Sequence, residues 1–384
     1  MAIQEMSVPT CESKKHRLSI PDHLLPGLDR EWVTLWEKYG SQMVRADEVS
    51  IEEYRKNARA HSFTYPTFSG PPVYHVEDLR IPVSQPAGII TIRVYTPEGP
   101  GPFPVHLNFH GGGWVLGNLN TEAAWCRYIC NKVHIKVIDV DYRLAPEFPY
   151  PISIYDSWEA VKWTITNASS MNINASSVSI GGLSAGGHMS AVMAHFARNE
   201  GVDLKLQLLV VPATDMRYCL RNFQLDSRNC AYASVLSYHD VPWGPLGREQ
   251  WFIKYWIGED EDIQEKVLNN DWICTPVLAP SFKNLARAHI ITAEFDLERD
   301  EGEFYGRILQ NAGNIVTMKR YAGMPHAFAH YNHPERGLSQ SFAYIEDTSE
   351  VIRNAHFGKD EGEKSSNDVT IFEVNHEMKE VLSC

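Results

Sequence analysis

The sequence has no long apolar run. No segment is long enough to span a bilayer, and the N-terminus, with Glu5, Glu12 and the Lys14-Lys15 pair, lacks the hydrophobic stretch of a signal peptide. Positive charge is also in short supply: 35 Lys and Arg stand against 48 Asp and Glu, for a net charge of -13. Nothing would offset phosphate repulsion, which argues against nucleic acid or an anionic membrane as the main partner. Cysteine is sparse and scattered, with seven residues at 11, 126, 130, 219, 230, 274 and 384, odd in number and without metal-ligand spacing. The expectation is therefore no metal site and a reducing, cytoplasmic setting, with Cys126 and Cys130 packing from one helix. No internal repeat is present. What remains is an ordinary globular composition, 43% hydrophobic and 22% charged over 384 residues, enough for a sizeable core.

Asp29 reads as the cap of a helix in which Trp32, Leu35, Trp36 and Tyr39 share one face and Gly40 is the stop. Ser50 and Glu53 form a capping-box signature for a second helix. From about residue 73 the pattern changes. Val76 to Val83 and Ile89 to Tyr95 alternate like an antiparallel pair turning at Pro86 to Gly88. Short apolar runs follow at 105–109, 135–140, 178–180, 206–211, 289–293 and 315–321, with helical segments between most of them, including one carrying Ile154, Trp158, Val161 and Ile165. Strands alternating with helices predict an α/β fold with a mostly parallel central sheet flanked by helices. Between Pro212 and Pro276 no strand is evident, yet Trp243, Trp251, Phe252, Tyr255 and Trp256 fall there, which indicates a folded insertion. The expected organisation is an N-terminal extension with cap helices over 1–72, a main domain over 73–356 with a cap insertion at about 213–275, and a flexible tail over 357–384.

The chemistry centres on Gly182-Leu183-Ser184-Ala185-Gly186. A serine on a tight strand-to-helix turn exposes its hydroxyl, and only glycines two before and two after leave room for that backbone. The hydroxyl needs a base, and the base needs an acid to hold its tautomer, in the chain order Ser, acid, His. His326 follows a predicted strand end, and Asp296 ends another. Glu294, Glu298 and Asp300 compete with Asp296 for the acid role. The oxyanion of a tetrahedral intermediate requires waiting N–H donors, and His110-Gly111-Gly112-Gly113-Trp114 follows a third strand. The N–H groups of Gly111, Gly112 and Ala185 are the expected donors. His188 reads as packing, and Asp141, Arg143 and Glu147 as charged ties between loops.

The stretches HGGGWVLG (110–117), DYRLAPE (141–147), GLSAGG (182–187), DLERDEG (296–302) and GMPHAF (323–328) resemble the hormone-sensitive-lipase-like group of the α/β-hydrolases over roughly residues 73 to 355. The resemblance implies Ser184 as nucleophile, Asp296 as triad acid, His326 as base, a two-part helical cap, carboxylester hydrolysis and no cofactor. Leu183, Leu297 and Ala327 stand where Asp, Pro and Gly are frequent, and none removes a reacting group. The long N-terminus and tail look like those of eukaryotic, fungal members, some serving secondary metabolism. The expected activity is a serine carboxylesterase acting on a small to medium, mostly apolar ester. Lactone or carbamate hydrolysis and acyl transfer use the same triad, and a receptor on the same fold would bind without turnover. The partner is then a small-molecule ester, with no stable membrane insertion; the oligomeric state stays open, a homodimer being one option.

Overall fold

The computed structural model describes residues 18–62, 68–220, 223–228 and 230–358. Helix α1 (Arg30–Lys38) begins where expected because the Asp29 carboxylate accepts from the Glu31 and Trp32 N–H groups, which the first turn cannot satisfy itself. Its Trp32 and Trp36 are buried. In α2 (Ile51–Lys56) the Glu53 N–H donates to the Ser50 hydroxyl.

Eight strands make one sheet: β1 (His75–Ser84), β2 (Ala87–Thr96), β3 (Phe103–Phe109), β4 (Lys136–Asp141), β5 (Ile173–Leu183), β6 (Leu204–Val210), β7 (Ala288–Phe295) and β8 (Val316–Pro325). Their order is β1-β2-β4-β3-β5-β6-β7-β8. The β1–β2 hairpin turns between Ser84 and Ala87, and β2 is antiparallel to β4; all other pairings are parallel. Strands β3 to β7 are buried on both faces over most of their length, which is why they read as continuous apolar runs.

The covering helices are α3 (Ala123–Ile129), α4 (Ile152–Thr166), α5 (Ala185–Glu200), α6 (Ala233–Tyr238), α7 (Leu246–Trp256), α8 (Glu261–Asn270), α9 (Arg299–Asn311) and α10 (Ser339–Phe357). Alternate strand residues feed different cores. Leu209 and Ile290 cluster with Ala191 of α5 and Tyr305 of α9, whereas Leu208 and Ile291 cluster with Cys126 of α3 and Ile345 of α10. Helices α6 to α8 occupy the insertion between β6 and β7, and no strand occurs among its described residues.

Several strand boundaries differ from expectation, most of all at β5 and β8. Strand β5 starts at Ile173 because Asn174 to Ser176 are exposed and carry no apolar signal, and β8 runs on to Pro325; α5 starts at Ala185, directly after Ser184. The proposed flexible tail falls outside the described residues apart from Phe357 and Gly358. Cys126, Cys130, Cys219, Cys230 and Cys274 are free and buried. Among the described residues, no helix is long and apolar enough to cross a membrane.

Candidate active site

Ser184 sits between β5 and α5 at φ 57° and ψ -118°, a conformation non-glycine residues rarely adopt and that costs about 1–3 kcal/mol. Its N–H donates to the Val210 carbonyl at 2.8 Å, which ties the turn to β6. The flanking glycines are required by space. A Cβ on Gly186 would lie 1.8 Å from the Phe109 carbonyl oxygen, and one on Gly182 would lie 2.2 Å from the same atom. The end of β3 thus presses on both sides of the serine, so the turn cannot relax.

The loop after β3 corrects one expectation. The Gly111 N–H donates to Glu122 Oε1 at 2.9 Å and is already committed. Gly112 and Gly113 line the cavity beside Ser184, and the N–H groups of Gly112, Gly113 and Ala185 meet no acceptor among the described residues. The set of free donors is therefore displaced by one residue from Gly111-Gly112 to Gly112-Gly113, with Ala185 retained at the first helical position. Glu122 also accepts from Asn108 Nδ2 at 3.0 Å, and Asn108 donates in turn to Asp139 Oδ1 at 2.9 Å. Burial pushes the Asp139 carboxyl well above the usual carboxylate range. This buried bracket under the loop is invisible in the sequence, where Glu122 is one more acidic residue.

His326 directly follows β8, and its Nδ1–H donates to Asp296 Oδ2 at 2.7 Å. Both side chains are buried. Asp296 Oδ1 accepts the Glu298 N–H at 3.0 Å, so the acid is fixed from two sides. The competing acids are placed otherwise: Glu294 accepts the Gly323 N–H, and Asp300 is held by Arg299 and the Ser234 N–H. Glu298 is different. Its Oε2 lies 3.7 Å from His326 Nδ1, and burial, reinforced by the negative charges of Glu249, Asp296 and Glu301, drives its carboxyl well above the usual range. Ser184 and His326 line the same cavity.

The supporting motif residues hold the walls. His110 stacks on Tyr142 with ring centroids 4.3 Å apart, and Tyr142 Oη donates to the His110 carbonyl at 2.7 Å. Trp114 is buried flat against Trp256 of α7 at 3.7 Å, and its Nε1–H donates to His188 Nδ1 at 3.2 Å. Burial lowers the His188 pKa to about 3, so this ring is a neutral packing element, as expected. The loop ties are partly as expected. Glu147 pairs with Arg55 at 2.6 Å, but Arg143 takes Asp156 bidentately, and Asp141 forms no ion pair among the described residues.

The cavity, about 1180 Å³ counting its open mouth, is walled by Trp32, Trp36 and Tyr54 from the N-terminal segment and by Trp243 and Phe252 from the insertion. Trp243 packs edge-on against Trp32 and Trp36, with centroids 6.0 and 5.9 Å away. Both segments therefore meet above the serine, and the wall they present is mainly apolar. Charged residues at the cavity are paired, Arg45 with Asp47 and Arg248 with Glu249. Among the described residues, no group of His, Cys, Asp and Glu is arranged to hold a metal ion.

A model of the alpha/beta hydrolase fold matches residues 106–330. The chain is 33% identical over 294 residues to the carboxylic ester hydrolase LipN of Mycobacterium tuberculosis, covering 75% of this chain and 74% of that protein. It is 32% identical over 314 residues to an AB hydrolase superfamily protein of Schizosaccharomyces pombe, covering 78% and 86%. Among solved structures, an ester hydrolase from the metagenome of Lake Arreo aligns with a TM-score of 0.74 at 30% identity, over 86% of this chain and 100% of that one.

Proposed function

The chain belongs to the α/β-hydrolase fold family, in the hormone-sensitive-lipase-like group that its motifs resemble, and from that premise we propose how its residues divide the work of cleaving an ester. The protein is a serine hydrolase acting on carboxylic esters. Ser184 attacks the ester carbonyl, and its proton passes to His326 Nε2 while Asp296 keeps the Nδ1 proton in place. The N–H groups of Gly112, Gly113 and Ala185 receive the oxyanion; each such donor is worth about 3 kcal/mol of transition-state stabilisation. His326 then returns the proton to the leaving alcohol and activates the water that releases the acyl group.

The single observation carrying this reading is the buried 2.7 Å bond from His326 to Asp296, beside a serine held in a strained turn at the same cavity. The aromatic walls favour small to medium, mostly apolar esters, with the N-terminal helices and the insertion acting together as a cap. Free, buried cysteines support action in a reducing, cytoplasmic setting. Turnover of p-nitrophenyl acetate and butyrate by wild type and Ser184→Ala tests the assignment. Loss of turnover in the variant is expected; equal rates would overturn it.

A further inference from the structure

We propose that Glu298 is a second carboxyl partner of the His326 imidazole, a positioning residue that can take over the orienting role when Asp296 is removed. The inference rests on the triad reading above. Glu298 Oε2 lies 3.7 Å from Nδ1, the same ring atom that donates to Asp296 at 2.7 Å. That oxygen is buried and has no hydrogen-bond partner among the described residues. A buried carboxyl oxygen without a partner costs free energy that a leucine of similar size would not. The two carboxyls also share one rigid turn, because the Glu298 N–H is bonded to Asp296 Oδ1.

The charged groups around Glu298 explain why it is silent while Asp296 is present. Arg248 and Glu249 face it from α7, Asp296 and Glu301 from its own side, and His326 from the loop after β8. Burial and the negative charges of Glu249, Asp296 and Glu301 drive the carboxyl well above the usual range, against the positive charge of Arg248. Deleting Asp296 removes one of those negative charges and opens the space in front of Nδ1. Glu298 then releases its proton to solvent and accepts the Nδ1–H. The Ser184 proton still moves to Nε2, so the proton count of the catalytic step is unchanged.

The test compares kcat and KM for p-nitrophenyl butyrate across pH in wild type, Asp296→Ala, Glu298→Gln and the double variant. Asp296→Ala should keep at least about tenfold more kcat than the double variant, with similar KM, since residues acting as a unit are non-additive. Its kcat should rise with pH along a limb that the double variant lacks. Equal kcat in the Asp296→Ala and double variants at every pH would overturn the proposal. Thermal melting of each protein separates loss of fold from loss of function, and Asp296→Asn repeats the comparison if the alanine variant unfolds. Equal turnover by wild type and Ser184→Ala would sink the triad reading itself, whereas an active wild type with equal Asp296→Ala and double variants sinks only the role of Glu298.

Discussion

Glu122 should control the rate without touching the substrate. Its carboxylate accepts from the Gly111 N–H at 2.9 Å and from Asn108 Nδ2 at 3.0 Å, and it is almost fully buried. Glu122→Ala leaves both donors short of an acceptor and also removes the longer 3.5 Å contact from His330 Nε2, which is not fully buried. An unsatisfied buried donor costs about 1–3 kcal/mol, so two set an upper bound of about 6 kcal/mol on the loss of stability. Asn108 keeps its bond to Asp139, which brings the expected loss nearer to 2–3 kcal/mol. The catalytic effect is separate. Gly112 and Gly113 hang on the loop that Gly111 anchors, and misplacing one oxyanion donor is worth about 3 kcal/mol, or roughly a hundredfold in kcat. Glu122→Gln should lie between, because one amide oxygen can still accept while the NH2 group confronts a donor. The assay is kcat and KM for p-nitrophenyl butyrate alongside thermal melting. A kcat within about twofold of wild type in Glu122→Ala would refute the claim that this carboxylate aims the hole.

Three further outcomes follow from the same geometry. Gly186→Ala drives a Cβ to 1.8 Å from the Phe109 carbonyl oxygen and should abolish soluble, active protein; wild-type melting and turnover would contradict the packing of the elbow. Trp256→Ala removes a fully buried ring stacked on Trp114 and should cost about 3–5 kcal/mol of stability together with a fall in kcat; a loss below about 1 kcal/mol in denaturant titration would show that the stack is dispensable. Burial lowers the pKa of His106 and His195 to about 3 and of His289 and His356 to about 4, so between about pH 6.5 and 4 the unfolded chain takes up protons that the native state does not. These groups stabilise the fold above that window, and their contribution is lost as pH falls through it. Raised buried carboxyls such as Asp139 and Glu301 act in the opposite sense and offset part of the loss. His356→Gln, which can still bond Ser177 and Ser179, should flatten the acid decline in denaturant-measured stability by up to about 1.4 kcal/mol per pH unit; an unchanged slope would refute its share.

What could be read in advance was whatever short-range sterics or chain order determine. Gly182 and Gly186 announce the turn at Ser184 because the crowding by Phe109 is answered only by glycine, and Asp29 and Ser50 announce their helices because capping is local. The hairpin and the parallel strands were legible from hydrophobic period. Contacts between distant segments were not. Which glycine supplies a free N–H depends on Glu122 reaching back to Gly111, and the partner of Arg143 is Asp156 on the helix that follows its loop. The start of β5 was hidden because Asn174, Ala175 and Ser176 are solvent-exposed and carry no large apolar side chain. Glu298 was one of four candidate acids in the sequence; only the folded arrangement puts it beside His326 while giving the hydrogen bond to Asp296.

The most direct test of the central claim is covalent labelling by a p-nitrophenyl phosphonate, with the modified residue located by peptide mass spectrometry. The phosphonyl group should appear on Ser184 alone, and its rate of attachment should fall by at least about a thousandfold in His326→Ala. A label on another residue, or a labelling rate that ignores the loss of His326, would contradict the account.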